Sequence, residues 1–264
     1  GPTLTRVTDL LVAALLVLAG TVALAAEVQF PSGKFEAADP DAMISGQLYR
    51  PGGSGPFPAV VLLHTCGGVT QHMTHDWPQF LIGLGYVALA VDTLGPRGHH
   101  RGCGPMGDNR NEIQARDAYG ALDYLATQTF VDASRIAAMG YSMGARTINN
   151  VILLRPAQPA GKLDFKAYAA FYGSCSRMKS GAVRDAPLLQ VIAEKDRRLA
   201  PSCIEAAKSV KMEAHVFSGV NHAFDQPQIT MLRPDRTGNM MLYDADAAHK
   251  AQELVREFLA RNLK

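Results

Sequence analysis

Residues 135–154 read RIAAMGYSMGARTINNVILL. Arg135–Met139 is a short apolar run of strand character, and Met143–Leu154 has a helical pattern that Arg155-Pro156 ends. Between them stands Gly140-Tyr141-Ser142-Met143-Gly144, a G-x-S-x-G turn from strand to helix. A turn this sharp strains the serine, and the residues two positions to either side must lack side chains for strand and helix to approach. The plainer reading of the same residues is a glycine-rich turn with a helix-capping serine. The buried strand before it and the helix after it favour Ser142 as a nucleophile.

Outward from this turn, short apolar runs alternate with helical patterns. Strands are expected at Pro58–His64, Tyr86–Asp92, Lys166–Tyr172, Pro187–Ala193 and Met212–Phe217. Helices are expected at Pro78–Leu84, Asn109–Gln128, Ser202–Val210 (capped by Ser202) and Asp244–Leu263. Gln29–Arg50 reads as an N-terminal antiparallel pair. Strands apolar on both faces and separated by helices imply an α/β fold, a mostly parallel sheet with helices on both faces. Ligands in such sheets sit beyond the carboxyl ends of the strands, so the residues just after each strand carry the functional reading.

A serine hydroxyl needs a base, and the base needs a carboxylate to hold it. After Pro187–Ala193 come Glu194-Lys195-Asp196, and after Met212–Phe217 comes a loop holding His222. Asp196 is favoured over Glu194, because a short side chain deeper in the loop can reach the histidine. His215 lies within a strand and His249 within the last helix, so His222 is the expected base. The oxyanion formed on attack needs two backbone donors. Met143 should supply one, and the loop Thr65-Cys66-Gly67-Gly68 the other, with Cys66 first and Thr65 in reserve. His64 is read as bracing that loop. In the loop after Asp92, Arg97 or Arg101 is the candidate to clamp a substrate carboxylate, against the alternative of a solvated charge. His72, His75, Asp76, His99 and His100 show no ligand framework, so no metal is expected.

The chain has 264 residues, 47% hydrophobic and 19% charged, which is a globular composition. Lys+Arg number 26 and Asp+Glu 24, with no basic stripe, so nucleic acid is not an expected partner. Leu10–Ala26 is apolar, shorter than the roughly 20 residues a spanning helix needs, and ends near Ala23-Leu24-Ala25. It reads as a secretory signal over residues 1–25, followed by one domain over 26–264, with Gly1-Pro2 as a foreign start. The rival reading is a retained anchor. Export to a periplasmic or extracellular space favours disulfides. Cys66 and Cys103 follow adjacent strands, as do Cys175 and Cys203, so the expected pairs are Cys66–Cys103 and Cys175–Cys203.

From about Ile44 to Leu263 the sequence resembles the dienelactone hydrolase family of α/β-hydrolases. The resemblance rests on VVLLHTCGG (60–68), GYVALAVDTLGPRG (85–98), GYSMG (140–144), AEKDRRLAP (193–201), NHAFD (221–225) and the alanine-rich last helix. It implies a triad of Ser142, Asp196 and His222, an oxyanion hole at Cys66 and Met143, and hydrolysis of esters or lactones without metal or organic cofactor. Two departures are visible: the name-giving enzymes look to use cysteine where this chain has Ser142, and an acidic residue where it has Thr65. The expectation is therefore an exported serine hydrolase acting on a small-molecule carboxylic ester rather than on dienelactones, with no stable membrane association once the signal is removed. A peptidase related to prolyl peptidases and a catalytically inactive periplasmic binding protein are the competing readings. Oligomeric state and acyl or alcohol preference are not written in the sequence.

Overall fold

The strands that lack alternation lie at the centre of the sheet. A computed structural model describes residues 24–264 except 105, 108, 180 and 181. Its strands are β1 (Leu24–Pro31), β2 (Met43–Arg50), β3 (Phe57–Leu63), β4 (Val87–Asp92), β5 (Val131–Tyr141), β6 (Tyr168–Phe171), β7 (Leu188–Ala193) and β8 (Glu213–Phe217). They form one eight-stranded sheet in the order β1-β2-β4-β3-β5-β6-β7-β8. β1 with β2 and β2 with β4 run antiparallel; the remaining neighbours are parallel. The N-terminal antiparallel pair and the mostly parallel sheet match the sequence reading.

Both faces of the sheet are covered. Val61 and Leu63 of β3 point into one core with α2 (Arg110–Ala126), α3 (Met143–Asn150) and α4 (Ala200–Ala206). Val60 and Leu62 of the same strand point into the other core, with α1 (Trp77–Gly83) and α5 (Ala245–Asn262). Successive strand residues face opposite ways, so one strand feeds two cores. The α5 helix begins where the sequence suggests: the Asp244 carboxylate accepts the Ala247 N–H at 3.0 Å.

Two local expectations are corrected. The helix expected over Met143–Leu154 is α3 followed by a separate 3₁₀ turn at Ile152–Leu154, because Val151 leaves helical geometry at φ −126°. Ser202 does not cap α4. The helix starts at Ala200, and the Ser202 hydroxyl donates to the Leu199 carbonyl while accepting the Cys175 N–H. A further two-stranded hairpin, β9 (Arg233–Pro234) with β10 (Met240–Met241), has no counterpart in the sequence reading.

Disulfide Cys66–Cys103 joins the loops after the neighbouring strands β3 and β4, and Cys175–Cys203 joins the loop after β6 to helix α4, with Cα separations of 5.0 and 4.8 Å. The expected signal segment lies mostly outside the described residues; a cut after Ala25 would leave Ala26–Pro31 paired with Met43–Leu48. No helix among the described residues is long and apolar enough to cross a membrane.

Cys175 and Cys203 are 28 residues apart. Replacing both by Ala is expected to lower stability by about 3–4 kcal/mol, the chain-entropy value for such a loop, read as a lower urea midpoint with the far-ultraviolet spectrum retained.

Candidate active site

The three side chains singled out in the sequence meet at the carboxyl end of the sheet. β5 delivers Ser142 into a turn with φ 53° and ψ −103°, a conformation that costs energy and persists only where neighbours impose it. A Cβ on Gly140 would run into the Gly144 backbone, and one on Gly144 into the Leu63 backbone. Both glycines are therefore required for strand, turn and helix to lie this close.

His222 Nε2 lies 2.9 Å from Ser142 Oγ, and His222 Nδ1 lies 2.5 Å from Asp196 Oδ2. His222 and Asp196 are each 2% exposed. A carboxylate at Nδ1 keeps the proton on that nitrogen and leaves Nε2 free to accept from the serine hydroxyl. Glu194 is turned away, accepting from Ser218 Oγ and the Gly219 N–H at the surface. His215 pairs with Glu213, and His249 is exposed on α5.

The imidazole is held from several sides. The His222 N–H donates to the Met240 carbonyl of β10, and the Leu242 N–H to the His222 carbonyl. Tyr172 sets its ring edge-on to the imidazole at 4.8 Å. Its hydroxyl donates to Asp225 at 2.6 Å, and Trp77 Nε1 donates to the same buried carboxylate at 2.8 Å. Burial, with the Asp225 carboxylate beside it, drives the Tyr172 hydroxyl well above its ordinary pKa, so it stays a donor. Asp235, at the hairpin, puts Oδ2 3.8 Å from His222 Nε2.

The loop after β3 is fixed by its own bonds. The Gly68 N–H donates to the Thr65 carbonyl, and the Gly102 N–H to the Cys66 carbonyl. His64 Nε2 accepts the Thr93 N–H at 3.1 Å, so Nδ1 donates to the Thr65 carbonyl at 2.7 Å. Burial lowers the His64 pKa and keeps the ring neutral in this role. A polar chain ties the loop to α3: Gln114 donates to the His64 carbonyl and accepts from Thr147 Oγ1, and Asn111 donates to Thr147 Oγ1 and to the Met143 carbonyl.

Ser142 opens onto two lobes. The larger, about 380 Å³, is lined by His222, Asp235, Arg101, Arg233 and Arg236 among others. The smaller, about 150 Å³, is lined by Cys66, Met143, Arg110, Arg146 and Arg198, with no Asp or Glu among the described residues that line it. Of the two arginines expected to meet substrate, only Arg101 reaches the cleft. Arg97 is corrected: its guanidinium makes two bonds to the buried Asp117, at 2.7 and 2.9 Å, and one to the Thr93 carbonyl. Burial first, then the cations Arg110 and Arg177, lower the pKa of Arg146, and Arg110 Nε is buried with no hydrogen-bond partner among the described residues. Sequence reasoning missed Asp235, Tyr172, Asp225 and the arginines of the smaller lobe. Asp225 lay within the quoted NHAFD block and was the one with a visible signal.

Comparison with known proteins agrees with this architecture. An uncharacterized protein of Escherichia coli, YcjY, is 31% identical over 112 residues, covering 40% of this chain and only 35% of that relative. A dienelactone hydrolase-like promiscuous phosphotriesterase from metagenomic libraries superposes with a TM-score of 0.66 at 19% identity, over 91% of this chain and 99% of that one. An esterase of Pyrococcus furiosus superposes with a TM-score of 0.64 at 17% identity, over 91% and 94%. Such distant likenesses establish the α/β-hydrolase fold. The family model describing the dienelactone hydrolase family matches residues 44–263, and on that match the chain belongs to this family of hydrolases.

Proposed function

We propose that the protein is a serine hydrolase of carboxylic esters. The observation that carries this reading is the unbroken hydrogen-bond chain from Ser142 Oγ through His222 to Asp196. His222 takes the serine proton as Oγ attacks the ester carbonyl, and Asp196 stabilises the imidazolium that results. The N–H groups of Cys66 and Met143 are the donors for the oxyanion. Collapse expels the alcohol with the proton from His222 Nε2 and leaves an acyl-serine. Water then attacks with the same histidine as base, and the acid departs.

The two lobes suggest which part of the ester goes where. The departing oxygen needs the His222 proton, and His222 lines only the larger lobe. The alcohol therefore belongs there and the acyl chain in the smaller one. Arg110, Arg146 and Arg198, in a lobe whose described lining residues include no carboxylate, favour a short acyl chain ending in an anion. The two disulfides and the apolar segment Leu10–Ala26 support export to an oxidising space.

Ser142→Ala should lower p-nitrophenyl acetate turnover by about four orders of magnitude or more, and should abolish labelling by a fluorophosphonate probe while the melting curve persists. Retained turnover would remove Ser142 from the mechanism. Arg146→Met should raise KM for p-nitrophenyl hemisuccinate about tenfold, roughly 1.4 kcal/mol, and leave KM for p-nitrophenyl butyrate within about twofold. Equal effects on both esters would exclude an anionic acyl subsite.

A further inference from the structure

Asp235 is a carboxylate on the Nε2 side of the imidazole, the side opposite Asp196. Its Oδ1 accepts the N–H groups of Thr237 and Asn239 and the Thr237 hydroxyl, at 2.8–2.9 Å. Its Oδ2 accepts from Asn239 Nδ2 at 3.0 Å and faces His222 Nε2 at 3.8 Å. Burial works to raise its pKa, but the bonds from Asn239 and Thr237, with the nearby His222, outweigh it and lower the value. The group is an anion at neutral pH, held rigidly, with its side chain only 12% exposed.

The gap of 3.8 Å is too long for a hydrogen bond. It suits a single water bonded to both atoms at about 2.8 Å. This is also where the second half of an acyl-serine reaction takes place. By microscopic reversibility, the attacking water occupies the position vacated by the leaving oxygen, beside His222 Nε2 and within the larger lobe. Asp235 lines that lobe together with Ser142 and His222.

Resting on the serine-hydrolase reading above, we infer that Asp235 is a positioning residue for the deacylating water. One water hydrogen points to His222 Nε2 and the other to Asp235 Oδ2, which aims an oxygen lone pair at the acyl carbon. In the step, the water oxygen bonds to the acyl carbon and its first proton moves to Nε2. The tetrahedral intermediate then expels Ser142 Oγ, which takes that proton back from Nε2. Asp235 neither gains nor loses a proton overall. An alcohol has a single hydroxyl hydrogen and cannot satisfy both acceptors, so Asp235 selects water over alcohols as acyl acceptor.

The test is the fate of the acyl-enzyme in Asp235→Asn, using p-nitrophenyl acetate in buffer with graded methanol. The first turnover should slow by less than about threefold, while steady-state turnover falls about tenfold or more, with acetyl-enzyme detected by intact mass. The ratio of methyl acetate to acetate should rise about tenfold. A merely structural role would slow hydrolysis and methanolysis together, and an unchanged ratio overturns the proposal. Asp235→Ser retains a short acceptor for the Thr237 turn and must give the same change in ratio; it serves as the deciding variant if Asp235→Asn does not fold. Absence of any Ser142-dependent p-nitrophenol release and fluorophosphonate labelling in the unsubstituted protein overturns the serine-hydrolase reading, and this proposal with it. A Ser142-dependent acyl-enzyme with an unaltered ratio overturns this proposal alone.

Discussion

The closest constraint in the molecule is the contact between the start of α3 and the end of β3. Gly144 lies so near the Leu63 backbone that no side chain fits, and Gly140 lies as near Gly144. This double approach places Ser142 in a conformation a free chain avoids and sets its hydroxyl at the carboxyl end of the sheet, within reach of His222. The cost is met by burial around it. Tyr141 is fully buried against Trp77 and Phe171, and Met143 and Ala145 are buried on the helix side. The strain at one residue is thus held by the packing of both cores.

Support for the imidazole has a different character. The serine is fixed by sterics, whereas His222 is fixed by polar groups drawn from distant parts of the chain. β10 grips its backbone, Asp196 its Nδ1, and Asp225 anchors its loop through Tyr172 and Trp77. Bonds from separate elements rigidify a loop that has little regular structure of its own, which is how a loop can hold a reactive group in place.

The parts legible in the sequence share a physical cause. β3 and β4 are apolar on both faces, and β7 is too apart from Gln190, so they stand out as runs without any long-range information. Ser142, Asp196 and His222 were legible because each lies just beyond the carboxyl end of a strand: Ser142 directly after β5, Asp196 in the loop after β7 and His222 in the loop after β8. The parts that were not legible depend on distance in the chain. Arg97 finds its partner Asp117 one helix away, and a solvated arginine reads the same as one committed to a buried carboxylate. Ser202 looks like a helix cap, yet its hydroxyl serves Cys175, whose position depends on the second disulfide. The strands around Asp235 are two residues each, too short to carry periodicity. Arg110, Arg146 and Arg198 come together only once α2, α3 and the loop after β7 are packed.

One buried pair is polar where apolar contact would have served. Asn149 on α3 and Gln190 on β7 are both fully enclosed, and each donates its amide to the other's carbonyl, at 3.0 and 2.9 Å. Hydrocarbon side chains would tolerate a small slide of helix against strand. Two reciprocal amides do not, because any slip strands four polar atoms away from water. Since α3 begins beside Ser142 and β7 ends just ahead of Asp196, this pair acts as a locating pin, setting the span that the imidazole has to bridge.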